Sequence, residues 1–403
     1  MSYIFNNQIA YSDTPQLDAF GRLRVSEVTT LLEVKYNQDK LPNQVDEVVA
    51  GSATSTLDST NACVIMTVST TGDYVIRQTK ERAIYQPGFS QNTKFSFSDF
   101  ELDSNVIKRV GYFSSSSAAT YDTQFDGFFL ESNGINNKIS FQIWKKGTLV
   151  LSSATDSWIS DQVNPNIIDW SKTQLMTVDF QWLGVGRVRF GMSLSGNTYI
   201  FATNSGTNNL SDVYMSSPDQ PIRYEIRSSG GTSTFHQICS SVNDEGSRNK
   251  IKRTGSIAQT NVITLGTSGT KYPFIGLRTT LPYEQVTLEL VSSSILNTSN
   301  DNYLVTIEIN PTISSGMTYS SGNTLEWEYS FGNGAQTVTS DGVIVAGFIG
   351  EAGTSAVSAI AFTESEIKPG RKIDGTRDQV WLCITPLGAS ATFLGAVNFT
   401  YEK

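Results

Sequence analysis

Charged side chains, histidine, cysteine and long apolar runs are all scarce in this chain of 403 residues. Charged residues make up 17% of the chain and the formal net charge is -9, which argues against a general nucleic-acid role because phosphate binding requires clustered Lys and Arg. The one cationic run, residues 248–253 (RNKIKR), is better explained as a solvated linker. No apolar run approaches the length of about 18 residues that a membrane-spanning helix needs, so no membrane role is predicted. The single histidine, His236, excludes multi-histidine metal sites.

The three cysteines, Cys63, Cys239 and Cys383, lie far apart and form no CxxC pair. Neither a disulfide framework nor a zinc knuckle follows from this spacing, and we expect small buried thiols. Residues 1–10 lack the basic start and the apolar centre of a signal peptide, so we expect synthesis in the cytoplasm. No cofactor is predicted.

What the chain does contain is strand-forming sequence. Aromatic residues account for 11% of the chain and are spread along its length, which argues against disorder. Alternation of apolar and polar residues recurs nearly everywhere, whereas apolar i, i+3, i+4 stripes are almost absent, and this predicts an all-β protein. The clearest strand candidates are residues 74–79, 93–97, 139–145, 176–182, 187–194, 222–227, 285–291, 303–309, 324–331, 343–349, 379–385 and 392–401.

The character of the pattern changes along the chain. Apolar residues are sparse and irregular in residues 1–60, which predicts an extended N-terminal arm used for assembly or attachment. Residues 61–240 and 261–403 carry short strands separated by turn residues, so each predicts a β-sandwich of the jelly-roll or concanavalin-like kind, the second displayed outward. Residues 241–260 gather charge, Gly and Ser and predict a linker.

A pair of carboxylates offers the best hydrolytic hypothesis. Glu101 and Asp103 stand at i and i+2, hence on the same face of a strand. The stretch resembles the first half of the Glu-x-Asp-x-x-Glu motif of concanavalin-like glycosidases, but Val106 and Ile107 stand where the second glutamate is needed. A solvated strand end is the favoured interpretation.

Two further side-chain groups have functional alternatives. Asp122, Asp126 and Glu131 suggest oxygen ligands for calcium, although their spacing departs from the EF-hand loop, and acidic turns are the favoured interpretation. Four tryptophans of the first sandwich are better explained as core residues than as a sugar-stacking platform, namely Trp144, Trp158, Trp170 and Trp182.

Several segments resemble minor structural proteins of tailed bacteriophages. Residues 18–26 (DAFGRLRVS) are similar to an N-terminal signature of those proteins. The blocks similar to their body are residues 85–88 (YQPG), 108–113 (KRVGYF), 126–129 (DGFF), 178–191 (VDFQWLGVGRVRFG) and 221–225 (PIRYE). The resemblance covers residues 13–240 in order, whereas residues 260–403 match nothing nameable.

The resemblance implies a non-enzymatic virion component, exposed on the particle as a capsid decoration, head fibre or tail-associated subunit. Its partners would be capsid, portal or tail proteins and further copies of itself, with a homotrimer expected. Head and tail locations need the same stable, weakly charged β modules, so the sequence leaves that choice open.

Within this interpretation the arm is the attachment element. Its acidic and basic side chains offer charge-assisted contacts, its aromatic and leucine side chains offer anchors, and its glycine permits a tight bend. The residues assigned to assembly are Asp18, Phe20, Gly21, Arg22, Leu23 and Arg24. The alternative is an N-terminal strand tucked into its own sandwich.

Arg187 and Arg189 alternate with Val188 and Phe190, so both guanidinia share one face of a strand. We predict that they pair with Asp179 on the preceding strand or with a neighbouring subunit.

A second hypothesis is a carbohydrate-binding adhesin. It predicts that the outer sandwich contacts host surface glycans through Trp327, Tyr329 and Trp381 near strand ends. A third, a glycoside hydrolase, assigns the chemistry to Glu101 and Asp103.

Overall fold

The computed structural model describes residues 2–5, 8–11, 14–158, 163–246, 252–280, 286–350, 356–361 and 368–402. It divides into two compact units, Met1–Asn249 and Lys250–Lys403. Within the described residues the two helices are 3-10 turns of three residues each, Thr155–Ser157 and Pro165–Ile167. None of the described helices is long and apolar enough to cross a membrane. The all-β prediction is therefore confirmed.

Unit 1 is built from strands β1 to β17. Their bounds are β1 Ser2–Phe5, β2 Gln8–Tyr11, β3 Val28–Lys35, β4 Val45–Ala50, β5 Thr54–Asp58, β6 Cys63–Val68, β7 Tyr74–Thr79, β8 Gln91–Ser98, β9 Val106–Ser114, β10 Asp126–Asn133, β11 Lys138–Lys145, β12 Thr148–Ala154, β13 Gln174–Phe180, β14 Arg187–Leu194, β15 Asn197–Ser205, β16 Ile222–Ser228 and β17 Ser233–Glu245.

These strands form two large antiparallel sheets and one small hairpin. The seven-stranded sheet has the order β12-β11-β10-β9-β16-β7-β4, and the eight-stranded sheet has the order β15-β14-β13-β8-β17-β6-β5, with β3 pairing with β17 beside it. The strands β1 and β2 pair with each other. The connection from β14 to β15 is a two-residue turn in which both Ser195 (φ 51°) and Gly196 (φ 83°) are left-handed, as a tight hairpin requires.

Alternation explains how the two large sheets make one core. On β13 the side chains of Met176, Val178 and Phe180 point inward, while Thr177 and Asp179 point to the opposite face. Every second residue of the other central strands behaves in the same way, so apolar side chains from both sheets fill the space between them. Unit 1 is a β-sandwich.

Unit 2 is built from strands β18 to β29. Their bounds are β18 Arg253–Leu265, β19 Tyr272–Thr279, β20 Thr287–Asn297, β21 Tyr303–Ile309, β22 Thr312–Ile313, β23 Ser320–Ser321, β24 Trp327–Phe331, β25 Val338–Ser340, β26 Val343–Gly350, β27 Ala356–Ala361, β28 Val380–Pro386 and β29 Ala391–Glu402.

Unit 2 is also a β-sandwich. One sheet has the order β18-β29-β20-β27 and the other the order β23-β24-β19-β28-β21-β26, while β22 and β25 form a separate pair. Phe393 and Phe399 from the first sheet and Phe274 and Leu382 from the second belong to one buried apolar cluster.

The predicted boundaries need two corrections. The extended arm over residues 1–60 is wrong from Val28 onward, because β3, β4 and β5 are members of the two large sheets and place Leu32, Val34 and Tyr36 in the core. The linker over residues 241–260 is also wrong for most of its length. Its first residues end β17 and its last residues begin β18, and residues 247–251 lie outside the described part of the chain.

Candidate functional site

Residues 14–26, here called the docking loop, contain the whole signature segment and are folded by their own side chains. The Asp18 carboxylate accepts hydrogen bonds from the backbone N–H groups of Phe20 (2.9 Å) and Arg22 (2.8 Å), and Arg22 Nε donates to it as well (2.7 Å). Gly21 has φ 79°, a left-handed conformation that suits glycine. The Arg22 guanidinium lies 4.7 Å from the centre of the Phe20 ring. The sequence thus encodes a compact turn.

The docking loop lies on the outer face of the eight-stranded sheet, where two arginines hold its backbone. Arg187 donates from Nε to the carbonyl of Ala19 and from Nη2 to that of Asp18, both at 3.1 Å. Arg189 donates from Nη1 to the carbonyl of Thr14 at 3.1 Å. The two sequence blocks most characteristic of the phage resemblance therefore contact each other.

Carboxylates beneath the docking loop balance these arginines. Asp179 on β13 lies directly opposite Arg189 on β14, and Arg189 Nε donates to Asp179 Oδ1 at 2.9 Å. Arg24 forms ion pairs with both Asp179 and Glu245. Burial raises the pKa of Glu245 above its usual range, because the loss of solvation outweighs the attraction of Arg24.

The assembly residues predicted in the arm thus divide into two groups. The Asp18 carboxylate folds the loop through Phe20 and Arg22, and Arg24 holds the loop on its own sandwich. Leu23 is 46% exposed, and the next apolar positions, Val25 and Val28, are 86% and 59% exposed. Exposed apolar side chains therefore extend beyond the residues predicted for assembly. The alternation of apolar residues at positions 23 and 25 is the sequence pattern that could have indicated them.

A second charged cluster lies on the outer face of the seven-stranded sheet. Arg109 on β9 donates from Nε to Glu131 at 2.7 Å, and from Nη1 to Glu225 and Asp122, both at 2.6 Å. Arg223 donates from Nη2 to the same Glu225 at 2.5 Å. We call these residues, together with Arg227, the Arg109 cluster. Its members come from β9, β10, β16 and the segment before β10, so no local sequence pattern predicts that they meet.

The Arg109 cluster is electrically balanced and covered. Three guanidinia meet three carboxylates, and the segment between β9 and β10 folds over them, its Tyr121 carbonyl accepting from Arg223 Nη2 at 2.9 Å. Burial by itself would raise the pKa of Glu225. Because Arg223, Arg227 and Arg109 outweigh burial, that pKa is held well below its usual range.

The calcium hypothesis finds no support in this arrangement. Asp122 and Glu131 bind Arg109, while Asp126 accepts from the Ser216 backbone N–H (2.8 Å) and from Gln220 Nε2 (2.8 Å). Within the described residues no three His, Cys, Asp or Glu side chains are placed to hold a metal ion.

Glu101 and Asp103, the carboxylates of the hydrolase hypothesis, lie beside the buried side chain of Lys108. Lys108 Nζ lies 2.7 Å from Asp103 Oδ2 and 3.9 Å from Glu101 Oε2, and Ser233 Oγ donates to Asp103 at 2.6 Å. Val106, at the position of the missing glutamate, belongs to the core. His236 lies nearby, with Nδ1 3.2 Å from Asp99 Oδ2, and Lys108 Nζ donates to the carbonyl of Asp99 at 2.6 Å.

The prediction that three aromatic residues of unit 2 are exposed for contact with glycans is wrong. Trp327 is 3% exposed and points into the core of unit 2. Trp381 is fully buried on the other face of its sheet, where the Tyr319 ring packs edge-on at 6.2 Å. Tyr329 is half-buried against Phe331 and Trp327. In unit 1, Trp158 is buried and Trp170 and Trp182 pack against the same core, as the core interpretation predicts. For Trp144 that interpretation is wrong, because its half-buried ring packs edge-on against Phe125 in a separate apolar cluster outside the main core.

No family model and no curated protein matches the chain. Among solved structures it is similar to a β-glucanase from Bacillus licheniformis, with 10% identity and a TM-score of 0.37 over 55% of this chain and 99% of the glucanase. Arcelin-5, a lectin-like defence protein from Phaseolus vulgaris, shows 11% identity and a TM-score of 0.34 over 54% of this chain and 99% of arcelin-5. A legume lectin-like domain from Entamoeba histolytica shows 11% identity and a TM-score of 0.31 over 54% of this chain and 98% of that domain. Similarities of this size say nothing about what the chain binds or catalyses.

Proposed function

We propose that this chain is a non-enzymatic structural subunit of a tailed-phage particle, exposed on its surface and attached through the docking loop. The observation that carries the proposal is the contact between the two blocks that resemble phage structural proteins. Arg187 and Arg189 fix the loop from below, and Leu23 and Val25 are left facing solvent. Exposed apolar side chains held on a rigid support are typical of a protein interaction surface.

The charged clusters support a structural role as well. In the Arg109 cluster and under the docking loop, guanidinia and carboxylates are paired with each other. Paired, buried charges of this kind fix a conformation, and they are poorly suited to donating or accepting protons during a reaction.

Attachment is tested with Leu23→Asp combined with Val25→Asp in the phage that encodes the chain. We expect the variant to fold like the wild type, because both side chains are exposed, and to be lost from purified particles, as measured by mass spectrometry of gradient-banded virions. Val262→Asp is the matched control, since that side chain on β18 is 54% exposed. Equal incorporation of the double variant would overturn attachment through the loop, and absence of the wild-type chain from particles would overturn the virion role.

Deletion of residues 1–38 is unsuitable for this purpose. It removes β3 together with Leu32, Val34 and Tyr36, so the body would be damaged along with the loop. Deletion of residues 1–27 ends before β3 and keeps these core side chains, but it takes Arg24 away from Asp179 and Glu245, so the double substitution is the cleaner test.

Binding of host glycans by residues 261–403 stays a prediction without named contact residues. A glycan array probed with the purified chain tests it, and specific binding would add an attachment role to the structural one.

A further inference from the structure

The outermost strand of the larger sheet in unit 2 has unusual surface chemistry. β26 is the terminal strand of the order β23-β24-β19-β28-β21-β26, and among the described residues no strand pairs with its other edge. Residues 342–350 (GVIVAGFIG) contain no charged side chain. Ile344 and Ile349 are 50% and 70% exposed. Proteins normally protect such edges with charge, proline or a covering element, because an open apolar edge pairs with other strands.

The register shows which side chains share the outer face. Leu304 on β21 lies opposite Ile349, and Thr306 lies opposite Gly347. The neighbouring positions Val305 and Phe348 point to the core instead. Gly347 and Ile349 are therefore adjacent outer-face positions on the open strand, one without a side chain and the other with a large exposed one.

We propose that β26 pairs with β26 of a second copy of this chain, in an antiparallel contact about a two-fold axis at Phe348. This register places Gly347 of each copy opposite Ile349 of the other, so each isoleucine side chain covers a glycine. A Cβ atom on Gly347 would have Val305 O, at 3.4 Å, as its nearest neighbour, which leaves that surface open to the partner's side chain.

The chemistry of the strand edge favours a second copy as the occupant. Although each copy carries a net charge of -9, the neutral residues 342–350 place no like charges at the contact. A strand edge is also complementary to itself, because an antiparallel two-fold pair lets both copies donate and accept the same backbone hydrogen bonds.

The symmetry of this contact makes it distinguishable from other assemblies. An isologous contact joins copies in twos, so by itself it produces a dimer. The homotrimer predicted from the sequence would need a different surface. The proposal is independent of the virion role, since it concerns the purified chain.

Sedimentation of the full-length chain over a range of concentrations tests the proposal. We expect a monomer–dimer equilibrium whose dissociation constant rises roughly 100-fold in Ile349→Lys, because two lysines enter one apolar interface. Gly347→Val should weaken the dimer too, since the added side chain occupies the space of the partner's isoleucine. Leu325→Lys is the matched control, with a 68% exposed side chain in the same unit, and should leave the equilibrium unchanged.

Hydrogen exchange supplies the second readout. Amides of residues 346–350 that point away from β21 should be protected at high concentration and exchange faster on dilution, whereas those of β28 should stay protected throughout. A wild type that remains monomeric at its highest soluble concentration, a trimer, or a dimer unaffected by Ile349→Lys would each overturn the proposal.

Discussion

Gly276 on β19 lies directly opposite Trp381 on β28, and a Cβ atom on Gly276 would lie 2.5 Å from Cζ2 of the indole ring. The indole thus lies across the glycine, and Nε1 of Trp381 donates to Gln379 at 3.1 Å. Because Trp381 is fully buried in this position, its role is to pack the outer face of unit 2.

Gly276→Ala should therefore destabilise unit 2. The added methyl group forces the buried indole to move, an overpacking change that costs about 1 to 3 kcal/mol. Denaturant unfolding followed by tryptophan fluorescence measures the loss. Gly266→Ala is the control, because a Cβ atom there meets no atom within 4 Å. Equal stability of the two variants would contradict the packing described.

Asp179→Asn should destabilise unit 1 strongly. Arg189 is fully buried, and loss of the opposing carboxylate leaves its charge uncompensated, which typically costs about 3 to 5 kcal/mol. The free energy of unfolding from chemical denaturation provides the measurement.

The exposed ion pair between Lys145 and Asp212 supplies the comparison for that variant. The side chain of Asp212 is 68% exposed, so solvent already screens the pair and Asp212→Asn should change stability little. If Asp179→Asn lowered the free energy of unfolding as little as Asp212→Asn does, the prediction that loss of the buried ion pair is strongly destabilising would be contradicted.

Glu225 predicts a pH dependence of stability. Its pKa in the folded chain lies well below the ordinary value of 4.5, so the unfolded chain binds a proton more readily than the folded one. The stabilising contribution is present above pH 4.5 and is lost as the pH falls below it toward the folded pKa. The stability difference between the wild type and Glu225→Gln should therefore be largest near neutral pH and shrink below pH 4.5. A difference that stays constant down to pH 3 would contradict this coupling.

Thiol labelling should distinguish the three cysteines. Cys63 and Cys383 are buried, as expected from the sequence, and burial raises the pKa of both thiols. The expectation of a buried thiol is wrong for Cys239, which is exposed. In the native chain iodoacetamide should modify Cys239 first, and the other two should react after denaturation. Peptide mass spectrometry identifies the labelled cysteines. Rapid labelling of Cys383 in the native chain would contradict its burial in unit 2.

Much of the secondary structure was predictable because alternation is a local signal. The predicted strands over residues 74–79, 187–194 and 303–309 have the bounds of β7, β14 and β21. The pairing of Asp179 with Arg189 also follows from a short hairpin, since β13 and β14 are consecutive strands. The predicted glycan contacts were wrong because alternation places Trp327 and Tyr329 on the same face of β24 but does not show that this face is covered by the core of unit 2.

The sequence by itself determined most of the strands and turns, because these depend on neighbours within a few residues. Only the tertiary structure decided that β3 joins β17, that Arg187 and Arg189 hold the docking loop, and that Arg109 meets Glu225. These contacts join residues more than a hundred positions apart. Pairing at that distance is set by the order of strands in the sheets and by which charges burial brings together.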